Sequence, residues 1–385
     1  MNQPETPAVG NTAVGNTAVG TAGFVDHHTH LLAASAGVPF PWHGTTVRAF
    51  HEQVFRAGLT PMDVAEPEVT EPAGELAARL RHGLARAANA GLVQVTEMGM
   101  RNWWYLDALD SISRRGSLPV RLRIYPASGL AEQASLAELD ARRDDCGPWV
   151  RLDGIKFYAD GWLVPRTCAM CRGFADEDSA GILFQDASTL ARRIEPLAAR
   201  GWGIATHAIG DRAAETVLDA YDLVWGHDPG AVAAAMPRIE HGSVLSAELA
   251  DRIAALGVAV CLQPSFAVTD AAQVPAALGA QRSATAYPWA ALAAAGVRLL
   301  VGTDFPIEVI EPLVGLARLV RGRSDRPGFA TPSAAPGHSR LPLDMAFRLA
   351  TDATAGRTVL SADPCAITAA ELDHVEVRGT APAPF

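Results

Sequence analysis

Short apolar runs rich in β-branched residues recur along most of the chain, and segments with helical periodicity separate them. In the helical segments, apolar residues return every four positions, as at Leu76, Leu80 and Leu84. Ser246 and Gly257 have the residue types of a helix N-cap and a C-terminal stop. The β-prone runs number eight: Gly23–His27, Leu92–Glu97, Val120–Tyr125, Gly154–Tyr158, Gly203–His207, Pro237–His241, Val258–Gln263 and Arg298–Thr303. This alternation predicts an α/β fold, a (β/α)8 TIM barrel with a parallel sheet.

The barrel is expected over residues 22–360, between a tail and an extension. Residues 8–22 repeat a five-residue unit of Gly and small residues, which has little to bury, so residues 1–21 are predicted to be a flexible tail. Residues 361–385 form the predicted C-terminal extension. Two connections, 31–73 and 159–186, are long and follow strands, so they are expected to build a substrate pocket or a lid.

Composition narrows the class of protein. The 385 residues are 49% hydrophobic and 19% charged, which favours a large core and excludes global disorder. A net charge of −10 without a basic block argues against nucleic acid or an anionic membrane as partner. No apolar run approaches the roughly 20 residues of a membrane span, and the five cysteines do not indicate a disulfide framework. A cytoplasmic protein that binds a small molecule is expected.

One basic residue differs from all the others. Of the 32 basic residues, 31 are arginine and only Lys156 is lysine. An amine can lose its proton and react, whereas a guanidinium remains charged. Lys156 is therefore a candidate for chemistry, with an ordinary salt bridge or surface position as the alternative.

Potential metal ligands stand at the ends of five predicted strands, where a barrel carries its active site. His28 and His30 follow the first strand two positions apart and therefore point to the same face. The candidate positions are His28, His30, Lys156, His207, His241 and Asp304. Neutral imidazoles and a carboxylate suit zinc. A protonated Lys156 would repel a cation, but addition of CO2 to its free amine would give a carbamate that can bridge two metals.

Five segments resemble the amidohydrolase superfamily, and the most similar branch is that of the N-substituted formamide deformylases. The resemblance runs from about residue 22 to 355 and implies that the six candidate positions form the metal site. In binuclear members the lysine is carboxylated and the aspartate, here Asp304, shuttles a proton. The segments are Gly-Phe-Val-Asp-His-His-Thr-His (23–30), Ile-Lys-Phe-Tyr-Ala-Asp-Gly (155–161), Thr-His-Ala-Ile-Gly-Asp-Arg-Ala (206–213), Pro-Arg-Ile-Glu-His-Gly (237–242) and Val-Gly-Thr-Asp-Phe-Pro (301–306).

The chain departs from that branch at its ends. Members of the branch carry a small β-sandwich built from segments on both sides of the barrel. Here only the Gly-rich tail precedes the barrel, and the stretch around Leu372–Val377 is short. A nearly bare barrel is predicted, with the accessory β-sandwich absent or vestigial and a homo-oligomer as one way to cover the exposed end.

The expected reaction is hydrolysis of a C–N bond in an amide, N-acyl or N-formyl compound. A metal activates water near neutral pH, and Asp304 accepts a proton and then gives it to the leaving nitrogen. One or two divalent ions per chain are expected, zinc first, although the same ligands accept manganese, iron or nickel. Two alternatives stay open, namely a deaminase of an amine-bearing ring and a barrel that binds a ligand without turnover.

Further residues near strand ends are weaker candidates. Glu97, Asp160 and Trp162 are predicted to contact substrate, although Glu97 could equally pair with an arginine. Because Glu240 precedes His241 on a strand, it is expected to point the opposite way and to be structural. The cysteines of Cys168-Ala169-Met170-Cys171 are interpreted as free thiols in a pocket wall, with a regulatory disulfide as the alternative.

Overall fold

The computed structural model describes residues 18–39, 45–66, 73–114, 116–226, 228–331 and 333–385. The strands are β1 (Val19–Thr29), β2 (Leu92–Met100), β3 (Arg121–Pro126), β4 (Val150–Leu152), β5 (Gly154–Tyr158), β6 (Gly203–Ala208), β7 (Arg238–His241), β8 (Ala259–Leu262), β9 (Arg298–Val301), β10 (Thr351–Leu360) and β11 (Val377–Pro382). All eight predicted strands are present, and β4, β10 and β11 are additional.

Helices cover the barrel between the strands. They are α1 (Leu31–Ala36), α2 (Val47–Arg56), α3 (Ala73–Asn89), α4 (Trp104–Ser113), α5 (Ser128–Ala131), α6 (Leu136–Asp144), α7 (Ala187–Ala198), α8 (Asp211–Trp225), α9 (Pro229–Ala235), α10 (Ala247–Leu256), α11 (Phe266–Thr269), α12 (Val274–Arg282), α13 (Trp289–Ala294), α14 (Pro312–Arg321) and α15 (Leu343–Leu349). Short 3-10 turns lie at 61–63, 283–285, 337–339 and 371–374. None of the helices in the described ranges is long and apolar enough to cross a membrane.

The strands pair in the order expected for a (β/α)8 barrel. One sheet contains β1, β2, β3 and β4 side by side, and the other contains β5 to β9, all in parallel. Strands β4 and β5 are two halves of the fourth barrel strand, interrupted at Asp153, whose N–H donates to the Ile124 carbonyl at 3.0 Å. Isolated parallel bridges, Ala127 to Lys156 and Thr29 to Phe305, join the two sheets at both edges.

A small antiparallel sheet extends the barrel at one edge. Residues 19–22 of β1 pair with 357–360 of β10, and β10 pairs with β11. Thr358 is buried there, accepting from the Phe24 N–H and donating to the Gly91 carbonyl. The tail prediction is therefore wrong for residues 19–21, which the β10 ladder orders, while residues 1–17 lie outside the described residues. The predicted extension contains β11, which pairs with β10 in this small sheet.

The barrel strands are buried on both faces because helices cover the outside and side chains fill the interior. Every residue of β2, β5 and β6 is buried. On α3, Leu80 and Leu84 of the predicted apolar stripe are completely buried. The predicted limits of α10 are confirmed, because the Ser246 side chain accepts from the Leu249 N–H and Gly257 ends the helix with a φ of 69°.

Candidate metal centre

The C-terminal ends of the barrel strands surround one enclosed cavity. Its wall is built by side chains that come from β1, β5, β6 and β7 and from the segment after β9. All six predicted metal positions line this cavity: His28, His30, Lys156, His207, His241 and Asp304. The sequence prediction that these strand ends meet is therefore matched by the placement of the side chains.

Three of these side chains converge most closely. One nitrogen each of His28 and His241 and one oxygen of Asp304 lie within 4.8 Å of one another, all buried. His28 Nε2 is 3.4 Å and His30 Nε2 is 3.1 Å from Asp304 Oδ1. The rings of His207 and His241 are also neighbours, with centroids 4.5 Å apart. Such a spacing of donor atoms lets them share a small cation.

Hydrogen bonds on the far side of the rings orient the histidines. His28 Nδ1 is 2.5 Å from Glu240 Oε2, and His241 Nδ1 is 2.9 Å from Gln263 Oε1. With Nδ1 engaged, Nε2 of each ring is the atom left for the centre of the cavity. Metal-binding histidines commonly have such an outer partner, which fixes the ring and its tautomer.

The protonation states also suit a metal. Burial lowers the pKa of His241 to about 3 and that of His207 well below its usual range, so both imidazoles are neutral. Burial raises the pKa of Asp304, but the adjacent His28 and His30 outweigh it and lower the pKa to about 2. Neutral imidazoles and an ionised carboxylate are the forms that bind metal ions.

The Lys156 amine is the one member of the group in an unfavourable position. Its side chain is 1% exposed, and within the described part of the chain its Nζ has no hydrogen-bond partner. Burial lowers the pKa of Lys156 to about 8, which makes the neutral, reactive amine accessible near physiological pH. A buried polar atom without a partner is costly, so the site fits an additional group bound at this amine.

Two residues of the centre have left-handed backbone conformations. His241 has a φ of 75° and Asp304 a φ of 59°, a region that residues other than glycine seldom adopt. Glu240 shares a strand face with Arg238, two positions before it, and reaches into the interior, where it contacts His28 and pairs with Arg238. The left-handed conformation at His241 interrupts the alternation of the strand, so this residue lines the cavity as well. The prediction that Glu240 points away from the site is wrong for this reason.

Comparison with known proteins identifies the family. A model of the amidohydrolase family matches residues 55–362, most of the chain. The chain belongs to the amidohydrolase family. It is 33% identical over 256 residues to the Bacillus subtilis (strain 168) protein YtcJ, which bears an amidohydrolase name, and the match covers 61% of this chain and 46% of YtcJ. The chain thus spans less than half the length of this relative.

Solved structures show the same fold as this amidohydrolase. An uncharacterised metal-dependent hydrolase of Pyrococcus horikoshii OT3 superposes with a TM-score of 0.69 at 18% identity, covering 91% of this chain and 87% of the other. Its counterpart from Pyrococcus furiosus gives 0.66 at 19% identity, covering 94% and 85%. The predicted fold and superfamily are confirmed, whereas the deformylase branch stays a prediction.

Of the three predicted substrate contacts, the structure places two in the cavity wall. Trp162 lines it, and its Nε1 donates to the Tyr158 hydroxyl at 2.6 Å. Glu97 lines it as well, but its Oε2 accepts from the Leu32 N–H at 2.9 Å at the start of α1. Burial raises the pKa of Glu97 to about 8. Glu97 therefore holds α1 against the site, in place of the arginine pair weighed from the sequence.

The third predicted substrate contact, Asp160, is not part of the cavity wall. Its carboxylate is fully buried and accepts from the N–H groups of Ala169, Ile209 and Gly210 at 2.8–2.9 Å. The role predicted for Asp160 in substrate binding does not fit this placement, because the carboxylate is used to join two loops. Asp160 Oδ1 also lies 3.5 Å from His207 Nε2.

Sequence reasoning overlooked three polar residues that bear on the centre. Arg101 and Glu66 line the cavity, and Gln263 orients His241. Arg101 and Gln263 directly follow β2 and β8. The rule that strand ends carry the site could have found these two, whereas Glu66 lies in a long connection without such a signal.

The two cysteines of the loop after β5 are not in the cavity wall. Cys168 is buried and its Sγ lies 3.7 Å from Met170 Sδ, whereas Cys171 is exposed. Both are free thiols. Neither lines the metal-site cavity or the apolar cavity beside it, so the prediction that they shape a pocket wall is wrong.

Proposed function

We propose that this amidohydrolase is a metal-dependent hydrolase that cleaves a C–N bond, of the amide, N-acyl or N-formyl type, in a small molecule. The observation that carries the proposal is the buried, unpartnered amine of Lys156 beside neutral imidazoles and an ionised carboxylate. A structural lysine would have an anionic partner, whereas an unpaired lysine with a lowered pKa can lose its proton near neutral pH and react.

The chain offers ligands for one or two divalent ions, with Zn²⁺ proposed first. His28, His30, His207, His241 and Asp304 would supply nitrogen and carboxylate ligands, which suit zinc. Lys156 would join them as a carbamate. Its neutral amine nitrogen forms a bond to the carbon of CO2, the amine gives up one proton, and a carboxylate-like anion results. Such an anion would satisfy the buried Nζ and add oxygen ligands.

The proton transfers fall to Asp304. When bound, the metal supplies Lewis acidity and activates water. The ionised Asp304 accepts the proton of the attacking water and returns it to the leaving nitrogen, which then departs as a neutral amine. The contact of Glu240 with His28 and that of Gln263 with His241 keep the rings in place during these steps. The cavity wall, including Trp162, limits the access of bulk water.

Metal content and intact mass test the role of Lys156. The protein is purified without chelator in bicarbonate buffer, and metals per chain are counted by elemental mass spectrometry. We expect two ions per chain and, by native mass spectrometry, one added CO2 that is lost in acid. Lys156→Gln is expected to lose the CO2 and at least one ion. One ion per chain without CO2 would contradict the carbamate, and a chain that refuses zinc and manganese would contradict the hydrolase.

Turnover tests the role of Asp304. N-formyl and N-acetyl amines are offered to the metal-loaded protein, and release of the amine is followed. Asp304→Asn keeps the size of the side chain and is expected to lower kcat by about 10²–10⁴-fold because it removes the proton acceptor. Its metal content is measured alongside, so that a loss of ions is separated from a loss of proton transfer. Release of ammonia from amine-bearing rings, with no release from amides, would favour a deaminase.

A further inference from the structure

A second cavity of about 350 Å³ opens beside the metal centre. Trp162, His241, Asp304 and Ile307 line both cavities. A molecule whose scissile bond lies at Asp304 therefore has room to extend one arm into this second space. We call it the side cavity.

The side cavity has apolar walls and acidic polar groups. Leu163, Val164, Pro165 and Phe266 contribute to the walls, together with Trp162. Apart from the metal-site residues, its ionisable lining groups are the carboxyls of Asp270 and Glu308 and the Tyr287 hydroxyl. Among the residues that the structure describes, no lysine or arginine lines it. An anionic arm would meet only like charges here.

Asp270 keeps unmet capacity for a charged donor, whereas Glu308 already pairs with Arg318. Asp270 Oδ2 accepts from the Tyr287 hydroxyl at 2.5 Å, a neutral partner. The charge of Arg166 also favours the ionised form of Asp270, but Arg166 is itself bound to Asp176. Burial raises the pKa of Asp270 to about 6, so the group is mostly ionised at neutral pH but poorly solvated. An apolar cavity with a poorly solvated carboxylate favours a ligand that brings its own positive charge.

The two nearby arginines lie outside the lining of the side cavity. Arg318 Nη1 is 3.5 Å from Glu308 Oε2 but donates to Ser265 Oγ at 2.6 Å, and the side chain is 4% exposed. Arg166 binds Asp176 through two nitrogens. The ligand-facing surface is therefore acidic, with the cations behind it.

We propose that the side cavity selects substrates with an arm that is apolar along its length and ends in a protonated amine, held by Asp270 with Glu308. The inference rests on the proposed hydrolase function where it speaks of a substrate. The faces of Trp162 and Phe266 suit an alkyl chain and also attract a cation. An arm of the same length with a neutral end would bring no positive charge to Asp270, and one that ends in a carboxylate would be repelled.

A binding measurement tests the cavity without turnover. Hexylamine (protonated at neutral pH), hexanol and hexanoate share one chain length and differ in terminal charge. They are titrated into the purified full chain by calorimetry. We expect hexylammonium to bind about tenfold or more tightly than hexanol, the range for a hydrogen bond to a charged group, and hexanoate not to bind. Equal affinity for hexylammonium and hexanol would overturn the proposal.

Variants locate the binding. Asp270→Asn and Glu308→Gln remove the charge but keep an oxygen that accepts from Tyr287 and Arg318. Asp270→Asn is expected to abolish the preference for hexylammonium over hexanol, and Glu308→Gln to reduce it. Asp344→Asn removes the same charge on the exposed face of α15, where Asp344 pairs with Arg348, and is expected to change nothing. Preference unchanged in Asp270→Asn would overturn the assignment of the amine to this cavity.

Substrates separate this proposal from the proposed function. N-acetyl-hexanediamine, N-hexylacetamide and N-acetyl-aminohexanoate, with their N-formyl analogues, carry the three terminal groups on one scissile bond. We expect kcat/KM to fall in that order. Turnover of all three at equal kcat/KM would overturn the selectivity but leave the hydrolase standing. No turnover, with hexylammonium still bound through Asp270, would count against the hydrolase and leave the cavity assignment standing.

Discussion

Two buried cations in the barrel interior have opposite surroundings. Arg238 pairs with both oxygens of Glu240 and donates to the His27 carbonyl at 2.8 Å. Lys156 is equally buried, yet the residues described by the structure give its Nζ no partner. We call Arg238 with Glu240 the paired region and the surroundings of the Lys156 amine the unpaired region. The difference indicates that the paired region holds the shape of the site and that the unpaired region is kept for a ligand.

The largest expected effect on stability comes from breaking the paired region. Glu240→Gln leaves the Arg238 charge buried without an anion, and the loss of one partner of a buried pair costs about 3–5 kcal/mol. Guanidinium unfolding of the metal-free protein measures this loss. The double variant Arg238→Met, Glu240→Met removes both charges and is expected to recover most of it. A double variant as unstable as the single one would show that the pair is not the cause.

Removing the amine of the unpaired region is expected to stabilise the metal-free protein, whereas breaking the paired region destabilises it. Folding lowers the pKa of Lys156 from 10.5 to about 8, so the unfolded chain holds the proton more tightly, and at pH 7 the buried amine disfavours the metal-free fold. At 1.36 kcal/mol per pKa unit this is about 3 kcal/mol at most. Lys156→Met is expected to raise the unfolding free energy of the metal-free protein at pH 7, with the gain vanishing above pH 10.5. A large loss of stability in Lys156→Met would mean that the lysine is structural.

The amino-acid sequence predicts the barrel and the ring of metal-ligand donors because both depend on short stretches of sequence. Each strand of the barrel is a short apolar run, and each donor stands within or just after such a run, as His207 does near the end of β6. The β10–β11 extension escaped prediction because its ladder joins Gly356 to Pro382 and Val19 to Leu360, pairings far apart in sequence. Its residues are mostly small or polar, so they carry no apolar alternation.

Two misjudged acids show a second limit of the sequence. Glu240 and His241 both reach the interior, although they are neighbours on a strand, because His241 has a positive φ that only the surrounding structure imposes. The carboxylate of Asp160 accepts hydrogen bonds from backbone N–H groups of two loops that come together in the fold. Strand alternation predicts neither outcome, since both are set by contacts between distant segments. The residue type thus indicated the chemistry that each acid could perform, but the groups that each acid contacts in the fold determine its role.

His51 offers a smaller test, because it is buried without an anion but outside the metal centre. Its Nδ1 lies 2.8 Å from Thr167 Oγ1, its Nε2 has no partner in the described structure, and burial lowers its pKa from 6.5 to about 4. The unfolded chain binds the extra proton between these values. Stability from this residue is therefore complete above pH 6.5 and is lost as the pH falls to about 4, by up to about 3 kcal/mol.

His51→Asn isolates that contribution. Other buried histidines titrate over the same range, so the measured quantity is the difference between the pH slopes of unfolding free energy for the parent and the variant. We expect the parent to have the steeper slope between pH 4 and 6.5, and both to have equal slopes above it. Identical slopes throughout would place the His51 ring in contact with solvent.

The smallest expected effect on stability comes from a helix cap outside both regions. It tests whether a loss of stability by itself changes the metal content. Ser246 caps α10 by accepting from the Leu249 N–H at 3.2 Å, and Ser246→Ala is expected to cost about 1 kcal/mol of unfolding free energy. Ser246→Asp keeps an acceptor and should restore it, since a negative charge is favourable at a helix N-terminus. Neither variant should alter the metal content or the pH slope. Loss of metal in Ser246→Ala would show that global destabilisation alone can empty the site. In that case, loss of metal in Lys156→Gln would no longer identify Lys156 as a ligand. If metal stays while stability falls, the two quantities are independent and the unpaired amine keeps its assignment.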